Sequence, residues 1–200
     1  DNMLWSGRVT QAQQMLLMVP KDIRRLSKAR IALQKQSNGV DLLISELPNT
    51  VKNSPGLLFD RFSYRKKKGF FVGAEQILFQ VSSELESLGR PEFWVKGRST
   101  FARRALFNGK PKKAYEIASN HFVDFQSIEN RNELVELEWL AGFIAFEFLN
   151  EYEMALQHFK IFSQFVVNPI NRAKASYWIG RSYEKLFMKD EMMGAFNSGA

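Results

Sequence analysis

Apolar residues recur along this chain at spacings of three and four, and short polar or glycine-containing breaks separate the apolar stretches. This spacing is typical of helices, and no window shows the alternation with period two that a strand bounded by hairpin turns requires. Phe93 to Phe107 places aromatic and small residues at helical spacing. Leu134 to Leu149 is apolar almost all round, which predicts a central, buried helix. The pattern therefore predicts an all-α fold.

The breaks between the helices recur along the chain. Five residues after most of these breaks lies an alanine, which is the first residue of the apolar face of the next helix. Gly and Asn accept the left-handed conformation that ends a helix, and alanine lets the following helix pack closely. Since one such hairpin cannot bury its apolar face alone, we expect residues 1–200 to form a superhelical stack of helical hairpins, a TPR-like α-solenoid. The predicted breaks lie near residues 7, 39, 69, 109, 150 and 190, the last four being 40, 41 and 40 residues apart.

Common catalytic, metal and nucleotide chemistry lacks support in the sequence. The chain has no Cys, so disulfides, thiolate zinc sites and cysteine nucleophiles are excluded. Its two histidines, His121 and His158, are not spaced as an H-E-x-x-H zinc motif, and no Gly-rich phosphate loop occurs. We therefore expect no metal and no cofactor. The longest mainly apolar run, Trp139 to Leu149, is too short for a transmembrane span.

Glycoside cleavage requires a carboxylic acid with a raised pKa, and several glutamates of the chain are candidates for this role. Glu86, followed by Ser87, has no apolar surroundings that would raise its pKa, and is interpreted as a solvated loop residue rather than a catalytic acid. Glu133, Glu136 and Glu138 are interpreted as the exposed face of a helix rather than as an acid pair. The sequence thus predicts no catalytic residue within the chain.

Basic and aromatic residues offer candidate ligand contacts. The net charge of +7 comes entirely from residues 1–100, which hold 16 Lys or Arg against 9 acids. Each basic candidate also has an interpretation without a ligand. Arg65 and Lys66, which precede Gly69, and His121 can interact with the C-terminal carbonyls of a helix. Arg103 and Arg104 can simply lie on a helix surface. Trp94, Trp139 and Trp178 are interpreted as core residues rather than sugar-stacking platforms. The candidate glycan or anion contacts are Arg65, Lys66, Arg103, Arg104 and His121.

Part of the TPR signature is present in Trp178, Gly180 and Tyr183, but the 40-residue spacing is too long for a regular TPR array. Four further segments follow one another in order: Pro55-Gly-Leu-Leu-Phe-Asp-Arg61, Ala102-Arg-Arg-Ala-Leu106, Glu138-Trp-Leu-Ala-Gly142 and Arg172-Ala-Lys-Ala-Ser-Tyr-Trp-Ile-Gly-Arg181. Together they resemble the helical region of the soluble lytic transglycosylases. The resemblance implies a periplasmic enzyme that cleaves the bond between MurNAc and GlcNAc in peptidoglycan, with a ring or curved superhelix of helices.

The resemblance does not include the catalytic centre of the family. The family's catalytic Glu-Ser, followed by Gly-Leu-Met-Gln, is absent, and Glu86-Ser87 has no such continuation. In the family the catalytic Glu belongs to a separate lysozyme-like domain, and this chain ends at Ala200 just as a predicted helix begins. We therefore expect a catalytic domain beyond residue 200, an inactive helical part, and two partners: peptidoglycan glycan strands and the chain's own catalytic domain.

Two other functions fit a helical stack less well. A TPR-like adaptor would bind a peptide or protein in its groove. Nucleic-acid binding would use the basic excess between Arg61 and Lys113, but no recognised motif supports it and we do not expect it.

Overall fold

Every regular element of the chain is a helix in a computed structural model, which describes residues 1–82, 85–126, 128 and 131–199. No β-strand occurs within these residues, so the all-α prediction is confirmed. The chain divides into two compact units, unit 1 from Asp1 to Arg90 and unit 2 from Pro91 to Ala200. Ala200, the predicted last residue of the helical part, lies outside the described residues.

Unit 1 begins with short helices and continues with longer ones. A 3-10 turn, Leu16–Met18, separates the second helix from the third. Its α-helices in the described residues are α1 (Asn2–Trp5), α2 (Val9–Gln14), α3 (Lys21–Gln34), α4 (Val40–Ser45), α5 (Asn49–Lys52), α6 (Pro55–Lys67), α7 (Phe71–Val81) and α8 (Leu85–Leu88).

The core of unit 1 forms where α6 packs against both α3 and α7. Proline is the first residue of α6, where its missing N–H costs nothing. Leu57 and Phe62 of α6 are almost fully buried, as are Ala74 and Leu78 of α7. The last turn of α6 carries the basic run that precedes Gly69, at the helix end where the dipole favours cations.

Unit 2 opens with a 3-10 turn, Pro91–Trp94, and continues with longer helices. A π-helical segment, Ala145–Leu149, extends the third of them. The α-helices of the described part are α9 (Val95–Phe107), α10 (Pro111–Ser119), α11 (Asn132–Ile144), α12 (Tyr152–Phe165), α13 (Pro169–Lys185) and α14 (Lys189–Ser198).

Consecutive helices of unit 2 pack against one another from α9 to α14, and α9 also contacts α11. Eight of the thirteen residues of α11 are buried, so the predicted central helix is confirmed. The approach of α12 to α11 depends on Gly142, because a Cβ there would lie 2.7 Å from the ring of Phe159. Trp94 is fully buried, which confirms its interpretation as a core residue.

Left-handed residues lie at or near the predicted breaks between helices. Gly69 and Gly109 have φ values of 80° and 67°, which glycine adopts without steric cost. The alanines five residues later, Ala74 and Ala114, are fully buried against the preceding helix. At the last break the left-handed residue is Phe187, with φ 59°, and Asp190 lies in the first turn of α14. The other left-handed residues at predicted breaks are Gly7, Gly39 and Asn150.

No helix in the described part of the chain combines the length and the apolar character needed to cross a membrane.

Candidate functional site

An open groove lies between α9 and α11 on unit 2, with a volume of about 560 Å³. Helix α9 lines one side with side chains one turn apart, and the first turns of α11 line the other. Its lining residues are Lys96, Ser99, Thr100, Arg103, Asn132, Glu133 and Glu136. We refer to this surface as the α9–α11 groove.

Charges of opposite sign face each other across the α9–α11 groove. The ammonium of Lys96 lies 3.9 Å from the Glu133 carboxylate, an exposed pair that contributes little to stability. Farther along α9, Arg103 donates an exposed hydrogen bond to Ser99. On α13, Lys174 is partly buried, and burial together with Arg103 lowers its pKa while Glu136 opposes the change. The charges thus alternate from α9 through α11 to α13.

An aromatic surface adjoins these charges where α13 meets α11. The Lys174 ammonium lies 3.5 Å from the centroid of the Trp139 ring, a cation–π contact. Trp139 stacks on Phe143 at 5.2 Å, and Phe143 meets the edge of Trp178 at 5.5 Å. Trp139 and Trp178 therefore pack between helices, as the core interpretation predicted, although both are only partly buried.

The α9–α11 groove is lined by polar and charged groups. Hydroxyl, amide, guanidinium and carboxylate groups can all hydrogen-bond to polar ligands such as sugars or peptides. The surface can hold a ligand.

A buried polar network lies within unit 2 and joins three helices. Glu138 of α11 accepts hydrogen bonds at both carboxylate oxygens, from His121 Nε2 at 2.8 Å and from His158 Nδ1 at 2.6 Å. The second nitrogen of His158 lies 3.0 Å from the Tyr115 hydroxyl of α10. We call Tyr115, His121, Glu138 and His158 the Glu138 network.

The hydrogen bonds of the Glu138 network determine where its protons lie. The backbone N–H of Val123 donates to His121 Nδ1 at 3.0 Å, so this nitrogen carries no proton and His121 is neutral with a proton on Nε2. Burial alone would raise the pKa of Glu138, but the hydrogen bonds from His121 and His158 outweigh it and lower that pKa to about 2. His158 must donate from Nδ1, and its Nε2 either accepts from Tyr115 or, when protonated, donates to it.

The Glu138 network corrects two expectations from the sequence. Glu138 is only 3% exposed, so its interpretation as part of the wet face of a helix was wrong. His121 does not bind helix C-terminal carbonyls through its ring, since both ring nitrogens are occupied by Glu138 and Val123. One signal was present in the sequence: Glu138 follows Leu134 by four residues and precedes Ala141 by three, which places it on the apolar face.

The remaining predicted contacts lie in different places. Arg103 lines the α9–α11 groove, whereas the neighbouring Arg104 is exposed and is not among its lining residues. Arg65 and Lys66 belong to unit 1, at the end of α6. Glu86 is exposed, as expected, but it lies in the short helix α8 rather than in a loop.

Among the described residues, no cluster of three or more histidine, aspartate or glutamate side chains is arranged to hold a metal ion. Comparison of the chain with protein-family models, curated proteins and solved structures finds no match.

Proposed function

We propose that this chain is the non-catalytic helical scaffold of a peptidoglycan lytic transglycosylase, and that the α9–α11 groove holds a glycan strand for cleavage by a separate catalytic domain. The observation that carries the proposal is the groove itself, an open polar channel beside partly buried aromatic rings. The resemblance of four sequence segments to the family supplies the substrate class and a periplasmic location.

The packing order of unit 2 supports a TPR-like stack. Helices α9, α11 and α13 are the first helices of three successive hairpins, and each packs against the second helix that follows it. In such stacks the first helices of neighbouring hairpins line a continuous binding surface. The α9–α11 groove lies between two first helices, and Lys174 of the third contacts Trp139 beside it.

The chemistry of the α9–α11 groove suits a glycan that carries acidic groups. Ser99, Thr100 and Asn132 can exchange hydrogen bonds with sugar hydroxyls and N-acetyl groups. Arg103 presents a planar fork of donors that matches a carboxylate of peptidoglycan. Cleavage is assigned to another domain because Glu138, the buried carboxylate of α11, has a pKa of about 2 and both oxygens already hydrogen-bonded.

Co-sedimentation with purified insoluble peptidoglycan tests this proposal. We expect the chain to co-sediment at low ionic strength, and Arg103→Ala to weaken retention about tenfold because it removes the bidentate donor. The matched control is Arg104→Ala, which removes the same charge from the adjacent position outside the groove. Absence of retention at low ionic strength, or equal losses in the two variants, would contradict the assignment.

A TPR-like adaptor that binds a peptide is the second candidate, and the alternation of Lys96, Glu133, Arg103 and Glu136 along the groove favours it. Binding of a protein partner with no retention on peptidoglycan would support this candidate over the first. Release of 1,6-anhydro muropeptides by the full-length parent protein tests the enzymatic assignment separately.

A further inference from the structure

A second cavity, of about 360 Å³, lies within unit 1 beside α4, α6 and α7. Part of its wall is apolar, from Val40, Ile44 and Phe70, and part is strongly polar. The polar lining consists of Asp41, Arg61, Tyr64, Arg65 and Gln76. We call this cavity the Arg61 pocket. It belongs to unit 1 and is separate from the α9–α11 groove, so it does not depend on the function proposed for that groove.

Arg65 is held in the wall of the Arg61 pocket. Its Nη1 donates a hydrogen bond of 3.0 Å to the backbone carbonyl of Gly73. A Cβ at residue 73 would lie 3.0 Å from the same nitrogen, so glycine leaves the guanidinium room to reach the carbonyl. One hydrogen bond uses one of the five N–H donors of an arginine, and the others remain for a ligand.

Arg61 lies one helical turn before Arg65 and lines the same cavity. It is partly buried, yet its guanidinium has no hydrogen-bond partner among the described residues of the chain. Burial lowers the pKa of Arg61 and the like charge of Arg65 lowers it further, while Asp41 raises it. A guanidinium stays protonated at neutral pH, so the pocket contains a partly desolvated cation whose donors are unused.

The charges and walls of the Arg61 pocket indicate the class of ligand. Two guanidiniums against the single carboxylate of Asp41 leave one net positive charge, which suits a monoanion better than a phosphate dianion. Arginine forks pair with carboxylates through two parallel hydrogen bonds. The Gln76 amide can hydrogen-bond to a peptide group, and the apolar wall can contact a small side chain.

We propose that the Arg61 pocket binds the terminal α-carboxylate of a short peptide, with Arg61 as the principal partner of the carboxylate and Arg65 as the second. A stem peptide of the cell wall and the C-terminus of a protein share this chemistry. The stereochemistry of the last residue distinguishes the two sources.

Titration of the isotope-labelled chain with acetyl-Ala-Ala, followed by NMR, tests the proposal. We expect saturable shifts of the backbone amides of Tyr64, Gly73 and Gln76, and about tenfold weaker binding of the C-terminally amidated probe, which lacks the carboxylate. Arg61→Gln should weaken binding of the free acid by a similar factor. Arg25→Gln, at an exposed arginine of α3, should leave it unchanged. The probe ending in D-Ala represents the cell-wall source and the probe ending in L-Ala the protein source.

Several results would overturn this assignment. Equal affinity for the free acid and the amide would exclude the carboxylate as the recognised group. Unchanged binding by Arg61→Gln would exclude Arg61 as its partner. Tighter binding of inorganic phosphate than of the free acid would contradict a site built for a carboxylate. The amide spectrum of Arg61→Gln shows whether the variant is folded, and Arg61→Lys, which keeps the charge but not the fork, should bind with intermediate affinity.

Discussion

A charged network is buried in each unit of this chain, around Arg30 in unit 1 and around Glu138 in unit 2, and the two networks have opposite polarity. In unit 1 the guanidinium of Arg30, 1% exposed, lies between the carboxylates of Asp60 and Asp1, with a 2.6 Å hydrogen bond from its Nε to Asp60. In unit 2 the carboxylate of Glu138 lies between the imidazoles of His121 and His158. Unit 1 therefore buries a cation between two acids, whereas unit 2 buries an anion between two histidines.

The two networks share a construction. In each, the buried acid lies four residues from a glycine on the same helix, Gly56 before Asp60 and Gly142 after Glu138. A Cβ at Gly56 would lie 2.3 Å from the Arg30 guanidinium, and a Cβ at Gly142 would lie 3.1 Å from Cβ of His158. The glycine thus gives the partner side chain space to reach the acid from the neighbouring helix.

The networks differ in how they respond to pH. Arginine remains charged under all ordinary conditions, so the pH response considered for each network is that of its buried carboxyl group. Burial raises the pKa of Asp60 although Arg30 and Gln34 oppose it, whereas the pKa of Glu138 falls to about 2. Acidification should therefore act on the two units in opposite directions.

Removal of the buried cation should have the largest effect. Arg30→Met keeps an unbranched side chain but leaves Asp60, 4% exposed, without its ion pair, and we expect unit 1 to lose about 4 kcal/mol of unfolding free energy. Urea unfolding, followed by amide hydrogen exchange of peptides from each unit, measures this loss. Arg25→Met on the exposed side of α3 is the control. Equal midpoints for the two variants would show that the Arg30 network does not stabilise unit 1.

Acidification should destabilise unit 2 through Glu138. The folded pKa of this residue, about 2, lies below its ordinary 4.5, so its contribution is complete above pH 4.5 and is lost as pH falls toward 2. The loss amounts to about 3 kcal/mol at most. Asp60 acts with the opposite sign in unit 1, because its raised pKa favours the folded state once the carboxyl is protonated.

The same exchange experiment in urea, repeated at pH values between 4.5 and 2, separates the two units. Glu138→Gln is the control, because the part of the pH dependence of unit 2 stability that comes from this carboxylate should vanish in the variant. If the urea midpoint of unit 2 falls equally with pH in the unmodified chain and in Glu138→Gln, the role given to Glu138 is contradicted.

At neutral pH, Glu138→Gln should destabilise unit 2 by about 2 kcal/mol. One charge-assisted hydrogen bond becomes a neutral one, and the other is lost because the amide NH2 group then faces an imidazole N–H. Glu133→Gln, an exposed change on the same helix, should have little effect. Chemical denaturation of the two variants provides the comparison. A smaller loss for Glu138→Gln than for Glu133→Gln would be inconsistent with the buried network.

Tyr115→Phe should have the smallest effect. It removes a hydroxyl 3.0 Å from His158 Nε2 at the outer end of the network, and we expect a loss of about 1 kcal/mol in unit 2. The ¹⁵N chemical shifts of the His158 ring provide a second measurement, since they should change while those of His121 should not. Unchanged His158 shifts would show that the Tyr115 hydroxyl does not bind this ring.

Much of the fold was predictable because helical periodicity and helix ends are local properties. The breaks at Gly69 and Gly109 and the burial of α11 follow from the order of glycine, alanine and apolar residues. The candidate site was less predictable. Arg103 was identified as a ligand contact, but nothing in its sequence environment distinguished it from Arg104, which lies outside the groove.

Taken by itself, the sequence determined that the chain is helical, where most helices end, and that common catalytic motifs are absent. Only the tertiary structure decided which charges are buried. Arg30, Arg98 and Glu138 are each at most 3% exposed, although all three belong to residue types that normally face water. Their partners lie between 17 and 30 residues away along the chain. A charge can be buried only where the fold brings such partners within hydrogen-bonding distance, and local periodicity carries no information about that distance.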